Sequence, residues 1–216
     1  MDTGGRGWRN LGEKPVVETP WFRLRQAEVE LPDGRRIDHY LLRLPPYLQT
    51  IMLDDRDRIL MLWRHRFIPG SWGWEIPSGV ADPAEDLPAA AAREALKESG
   101  WEPSQLSLLL RLEPSGGLTD SLAHVYWTRN AEYRGDPVAA FEAEQIEWIP
   151  LREIPELIAG GRIRAAVTAA SLLYLLQKLA GPGLSRLEPG PASGCDGNHS
   201  PLWDDGYWPV HTSDRG

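Results

Sequence analysis

The stretch AAAAREALKESG, residues 89–100, places Glu94, Lys97 and Glu98 within about one turn of a single helix. On a helix turning about 100° per residue, Glu98 lies about 40° from Glu94, while Ala92, Leu96 and Ser99 fall on the opposite side. The wheel therefore predicts a carboxylate face and a separate core face. Two like charges at this spacing repel by a few tenths of a kcal/mol, and a divalent cation between them reverses that sign. Taken alone, the pattern reads as a solvated face with a Glu94–Lys97 ion pair. Ala90 and Ala91 flank the carboxylates, so nothing bulky shields them.

The segment in front changes that reading. WGWEIPSGVADPAED puts Gly79 before a loop and Glu85 before the helix. The order is Gly79, five residues, Glu85, seven residues, Arg93-Glu94, three residues, Glu98, one residue, Gly100. This resembles the Nudix box, in which Gly, Glu, Arg-Glu, Glu-Glu and Gly recur at those intervals. Gly79, Glu85, Arg93, Glu94, Glu98 and Gly100 all stand in register. Three positions depart: Ala95 is a small version of an aliphatic residue, Trp101 replaces another, and Lys97 stands where the first Glu of the pair belongs. The likeness extends over residues 8–180. PWFRLRQAEVELPDGRRIDHYLLRL looks like the N-terminal sheet of the ADP-ribose pyrophosphatase branch, and Pro114 is close to a marker proline of that branch.

The resemblance implies hydrolysis of a nucleoside diphosphate linked to another group, with Mg²⁺ or Mn²⁺ neutralising the pyrophosphate. Hard cations take oxygen ligands, and Mg²⁺ commonly bridges one or two carboxylates, water and substrate phosphate. On that basis Glu94 and Glu98 are the metal ligands and the Gly79 carbonyl a third. Glu85 and Arg93 form a supporting ion pair, and Gly100 closes the helix. The branch commonly draws its general base from an acidic loop after the box. AAFEAEQIEW offers Glu142 as base and Glu144 as accessory ligand, an acidic solvated loop being the alternative for each; Asp120 and Asp136 stand in reserve. The substrate expected is ADP-ribose or a similar ADP-sugar, giving AMP and a sugar phosphate. Another nucleotide sugar or dinucleotide is the alternative within the chemistry. Because Lys97 replaces a box glutamate, a nucleotide-binding or regulatory module of weakened catalysis is the alternative outside it. The branch also implies a homodimer formed through the N-terminal sheet.

Outside the box, Arg64 and Arg66 alternate along a strand and point to one face, where a guanidinium can hold phosphate bidentately. A polar strand face with surface arginines is the alternative. Trp21, Trp72 and Trp74 are candidates for stacking on a base, although tryptophan in this number is more often core.

The elements that must position these groups are legible in outline. FRLRQAEVEL and RIDHYLLRL flank PDGR, which predicts a β-hairpin over Phe22–Leu44. LQTIMLD and RILMLWRHRF flank DDRD and predict a second strand pair. A helix is predicted over Leu87–Ser99, with Asp86 as N-cap, Pro88 in the first turn and Gly100 ending it. Strands are predicted at LSLLLRLE, SLAHVYWTR and EQIEWIP, a short helix in PLREIPELIAGG, and a packing helix in RIRAAVTAASLLYLLQKL. The fold class expected is α+β: a Nudix fold with a mixed β-sheet sandwiched between helices and an N-terminal antiparallel β-hairpin region.

At 216 residues, with 42% hydrophobic and 25% charged, the chain reads as one domain over 1–180, including a sheet extension over about 8–45. Residues 181–216, rich in Gly, Pro and Ser, read as a mostly disordered tail in which Trp203, Tyr207 and Trp208 could dock on a surface. A net charge of −8 argues against nucleic acid as partner. The single cysteine, Cys195, excludes an intramolecular disulfide framework. MDTGGRGWRN lacks the apolar stretch of a signal peptide and no run of about 18 apolar residues occurs, so a soluble, cytoplasmic protein with no membrane partner is expected.

Overall fold

The computed structural model describes residues 7–82 and 84–180; the tail expected to be disordered lies outside them. In chain order the elements are β1 (Arg9–Glu18), β2 (Arg23–Glu30), β3 (Arg36–Arg43), β4 (Tyr47–Met52), β5 (Arg58–Arg66), β6 (Ser71–Glu75) and β7 (Ser78–Val80). Then follow α1 (Leu87–Ser99), β8 (Trp101–Ser104), β9 (Ser107–Leu112), β10 (Ala123–Thr128), β11 (Asn130–Tyr133), β12 (Gln145–Pro150), α2 (Ile154–Ala159) and α3 (Ala166–Ala180). These residues form two compact units, 7–45 with 115–121, and 46–114 with 122–180.

The first unit is an antiparallel sheet in the order β1-β2-β3. Strands β2 and β3 pair from Arg23↔Arg43 to Glu30↔Arg36 around the PDGR turn, where Gly34 takes the left-handed conformation at φ 84°. Strand β1 is an addition to the sequence reading. Its Gly12 and Pro15 disrupt the usual strand pattern, and the register shifts where each occurs, between Asn10 and Gly12 and between Pro15 and Val17. Arg43 ties this unit together by pairing with Glu13 and, at 2.8 Å, with Asp120.

The second unit has a mixed four-stranded sheet, β7-β4-β10-β9, in which β4 and β10 run parallel, and an antiparallel sheet, β12-β5-β6. All six residues of β10, AHVYWT, are buried, as a central strand covered on both faces requires. Alternation along β4 assigns its two faces. Leu48 joins Ala90, Ala91 and Tyr126, and Thr50 Oγ1 donates to the Ala91 carbonyl, so α1 covers one face. Gln49 Nε2 donates to Thr168 Oγ1, and Ile51 packs with Leu172 and Leu175, so α3 covers the other. The sheet is thus held between helices, in the α+β arrangement expected.

Two expectations need correction. The apolar runs on either side of DDRD do not form a full strand pair: β4 and β5 enter different sheets, joined at the turn by the Leu53↔Ile59 bridge and the Asp54 amide donating to the Arg58 carbonyl. Each run is apolar on both faces, so each is buried by its own set of neighbours. The carboxylate face of α1 is also its packed face. Ala90, Ala91, Glu94, Ala95, Glu98 and Ser99 are buried, whereas Ala92 and Leu96 are only partly so. Alanines let the backbone approach β4 and β7 closely, and this draws Glu94 and Glu98 inward with them.

Candidate active site

Helix α1 starts and stops as its sequence dictates. Asp86 Oδ2 accepts from the Ala89 amide at 3.2 Å, Pro88 occupies the first turn, and Gly100 ends the helix at φ 74° with its amide donating to the Leu96 carbonyl. Those two caps fix where the helix begins and ends.

Glu98 is 3% exposed and Arg64, on β5, is 2% exposed. Their guanidinium and carboxylate groups meet through two hydrogen bonds of 3.1 and 2.9 Å, and the Ser78 amide donates to Glu98 Oε2 at 2.8 Å. Burial pushes the Glu98 carboxyl above its ordinary value, against the opposing pull of Arg64 and the Ser78 amide. Arg64 Nε has no hydrogen-bond partner among the described residues.

Glu94 stands one turn earlier. It pairs with Arg93, and its Oε2 accepts from Lys97 Nζ at 3.2 Å. Gly79 belongs to β7, and a Cβ built there would lie 2.3 Å from Glu94 Cγ. The loop backbone can lie against the carboxylate only because that residue is glycine. Glu85 accepts two hydrogen bonds of 2.8 Å from Arg93, clamping the loop to the helix. Hydrogen bonds from Arg93 hold the Glu85 carboxyl below its ordinary value, and Glu85 in turn raises Arg93.

A cleft of about 400 Å³ is lined by Arg64, Arg66, Trp72, Phe141, Glu142 and Glu144 among others, and connects to α1 through the Arg64–Glu98 and Glu142–Lys97 pairs. Glu142 ends a 3-10 turn, Ala140–Glu142, and its Oε1 lies 3.9 Å from Lys97 Nζ. The Ala139 amide donates to the Lys97 carbonyl, fastening that turn to α1.

The structure therefore places Gly79, Glu85, Arg93, Glu94 and Glu98 around one helix, with Glu142 linked to them through Lys97. Arg66 and Glu144 stand on the cleft wall. Both arginines expected to meet phosphate have carboxylate partners. Arg64 is bound to Glu98, and Arg66 donates to Glu75 at 3.0 and 2.5 Å, which holds its guanidinium above the ordinary value. The first contact joins a strand residue to a helix residue 34 positions later, so spacing carried no sign of it. Trp74 lies in the core; Trp21 is exposed in the first unit; Trp72 alone of the three lines the cleft. Asp120 is spent on Arg43, and Asp136 accepts from Tyr133 Oη. The sequence reading missed Phe141, an exposed aromatic on the same wall; its only signal was its position beside Glu142.

Among the described residues, no three His, Cys, Asp or Glu side chains stand together as a metal site. Arg64, Arg93 and Lys97 already hold the two box carboxylates. These two carboxylates, with backbone against Glu94, are hard-oxygen donors that a cation would have to share with those three side chains. That suits a cation taking its other ligands from water and substrate phosphate.

A mixed sheet held between helices, with this glycine–carboxylate loop and helix, is the architecture of a Nudix domain. Residues 46–170 match the NUDIX domain, and residues 8–42 match the nucleoside diphosphate sugar hydrolase N-terminal domain; the chain belongs to the Nudix hydrolase family. It is 39% identical over 183 residues to the CMP-5'-(N-acetyl-N-hydroxy-3-aminopropyl)phosphonate hydrolase of Streptomyces rubellomurinus, covering 85% of this chain and 87% of that one. It is 28% identical over 155 residues to the ADP-ribose pyrophosphatase of Mycobacterium tuberculosis, covering 70% and 75%. A crystal structure of an ADP compounds hydrolase superposes with a TM-score of 0.71 at 18% identity, covering 85% of this chain and all of that one. Among the described residues, no helix is long and apolar enough to cross a membrane.

Proposed function

We propose that this chain hydrolyses the pyrophosphate bond of a nucleoside diphosphate derivative of the ADP-ribose kind, releasing AMP and a sugar phosphate, with Mg²⁺ or Mn²⁺ as metal. One observation carries the reading: Glu94 and Glu98 share the packed face of α1, with the Gly79 backbone closed onto Glu94. Glu94, Glu98 and the Gly79 carbonyl would hold the ion, which when bound neutralises pyrophosphate charge and lowers the pKa of water.

The chain's own residues do the rest. Arg64 fixes the Glu98 carboxylate in one orientation, so that its geometry is set before substrate arrives. The Glu85–Arg93 clamp holds the Gly79 loop in place. Glu142, partly exposed on the cleft wall, takes the proton of the attacking water. The water oxygen bonds to one phosphorus, the bridging P–O bond breaks, and the bridging oxygen leaves with the other phosphate. The guanidinium groups of Arg66 and Arg64, the latter with an Nε that has no partner among the described residues, supply positive charge at the cleft, and Glu144 serves as accessory ligand. Trp72 and Phe141 offer apolar surface for a base or sugar. A homodimer through the first unit belongs to the same proposal, supported by the exposed Val16, Val17 and Tyr40 on its sheet.

The S. rubellomurinus relative favours a second reading, in which the nucleotide is CMP joined to a phosphonate. Incubation of the pure protein with ADP-ribose, NADH, UDP-glucose and a CMP-linked phosphonate, with Mg²⁺ or EDTA, separates them. Mg²⁺-dependent release of AMP from ADP-ribose supports the first, and release of CMP alone supports the second. Binding without release of any nucleoside monophosphate would contradict both.

A further inference from the structure

Four carboxylates, Glu85, Glu94, Glu98 and Glu142, are joined by ion pairs to three cations, Arg64, Arg93 and Lys97. Arg64 is committed to Glu98, and Arg93 to Glu85 and Glu94. Of these three cations, Lys97 is the one that spans from the helix to the Glu142 turn. Its Nζ lies 3.2 Å from Glu94 and 3.9 Å from Glu142, and its carbonyl accepts from the Ala139 amide at 3.1 Å. With the side chain 45% exposed, the ammonium also meets solvent at the site.

We propose that Lys97 is a resident cation of this site. Its ammonium neutralises the Glu94–Glu142 pair in place of a divalent ion and positions the Glu142 turn for catalysis. The inference rests on the reading of Glu94 and Glu98 as metal ligands. An ammonium beside Glu94 both repels an incoming cation and withholds the carboxylate that a glutamate at this position would provide. The site therefore binds fewer divalent ions than the same site with glutamate at position 97. Lysine, a compact charge on a flexible stem, can turn from Glu142 towards a substrate phosphate without any change in backbone.

The test is a calorimetric Mn²⁺ titration, without substrate, of the full chain and of Lys97→Gln, Lys97→Glu and Lys97→Arg. Exposure of the side chain lets the variants fold, and circular dichroism checks that they do. Lys97→Gln is expected to bind Mn²⁺ roughly tenfold more tightly. Lys97→Glu is expected to take up one more Mn²⁺ per chain, and Lys97→Arg to follow the wild type. Equal affinity and stoichiometry across all four proteins would overturn the proposal. If the wild type releases no nucleoside monophosphate from any substrate while the Mn²⁺ differences persist, the functional reading fails and the resident cation stands.

Discussion

Arg64 on β5 and Glu98 on α1 meet through two hydrogen bonds of 3.1 and 2.9 Å, and both side chains are almost wholly buried. Breaking such a pair from one side leaves a buried charge without a partner, which costs about 3–5 kcal/mol. Arg64→Ala is expected to lose stability on that scale in urea unfolding. The double substitution Arg64→Met with Glu98→Leu, which removes both charges, is expected to recover much of the loss. A single-variant cost within about 1 kcal/mol, the scale of an exposed pair, would contradict the arrangement.

Gly79 offers a cleaner probe of the site than of the fold. Its φ lies outside the left-handed region, so alanine meets no backbone strain, only the Glu94 side chain 2.3 Å away. Gly79→Ala must displace Glu94 or the loop, and misplacement of about 1 Å can cost about 10²-fold in rate. The expected result is a fall in kcat/KM of about that size with a much smaller change in unfolding midpoint. An unchanged kcat/KM would show that the Glu94 carboxylate need not stay where it is.

The site was legible in the sequence where function lies in spacing, and hidden where it lies in packing. The register from Gly79 to Gly100 located the loop, the clamp and both carboxylates, and the caps at Asp86 and Gly100 bounded α1 at Leu87–Ser99. The partner of Glu98 was not legible, because it comes from a strand 34 residues earlier and depends on which sheet β5 joins. The packed face of α1 was misread for a related reason: alanine fits a surface or a core equally well, and a buried carboxylate is readable only once its buried cation is known.

Glu85 gives the site a pH dependence. Hydrogen bonds from Arg93 hold its folded-state pKa below the ordinary value of 4.5. A carboxylate depressed in this way stabilises the fold above its unfolded pKa, and the contribution is lost as pH falls through the lower folded value. Glu85→Gln is therefore expected to be less stable than wild type at pH 7, by about 1 kcal/mol or less because Arg93 is partly exposed. The two proteins should converge as pH is lowered beyond 4.5 in urea unfolding. A gap that stays constant with pH would contradict the ion pair.

Two glycines with similar backbone separate strain from collision. Gly34 at φ 84° faces open space, whereas a Cβ on Gly100, at φ 74°, would fall 2.0 Å from the Gly135 carbonyl oxygen. Left-handed backbone in a residue other than glycine costs about 1–3 kcal/mol. Gly34→Ala should lose an amount in that range, and Gly100→Ala distinctly more. Equal losses in thermal or urea unfolding would show that the end of α1 can yield.

In the proposed reaction Glu94 and Glu98 act together as carboxylate ligands in metal-dependent pyrophosphate hydrolysis. Its most direct test is release of nucleoside monophosphate from the best substrate of the panel by wild type and Glu98→Gln, each in Mg²⁺ and in EDTA. Turnover by wild type in Mg²⁺ is expected, and its loss in EDTA and in Glu98→Gln, assayed below the lowered unfolding midpoint that loss of the Arg64 partner gives that variant, with circular dichroism showing it folded. Turnover that survives either chelation or that substitution would contradict it.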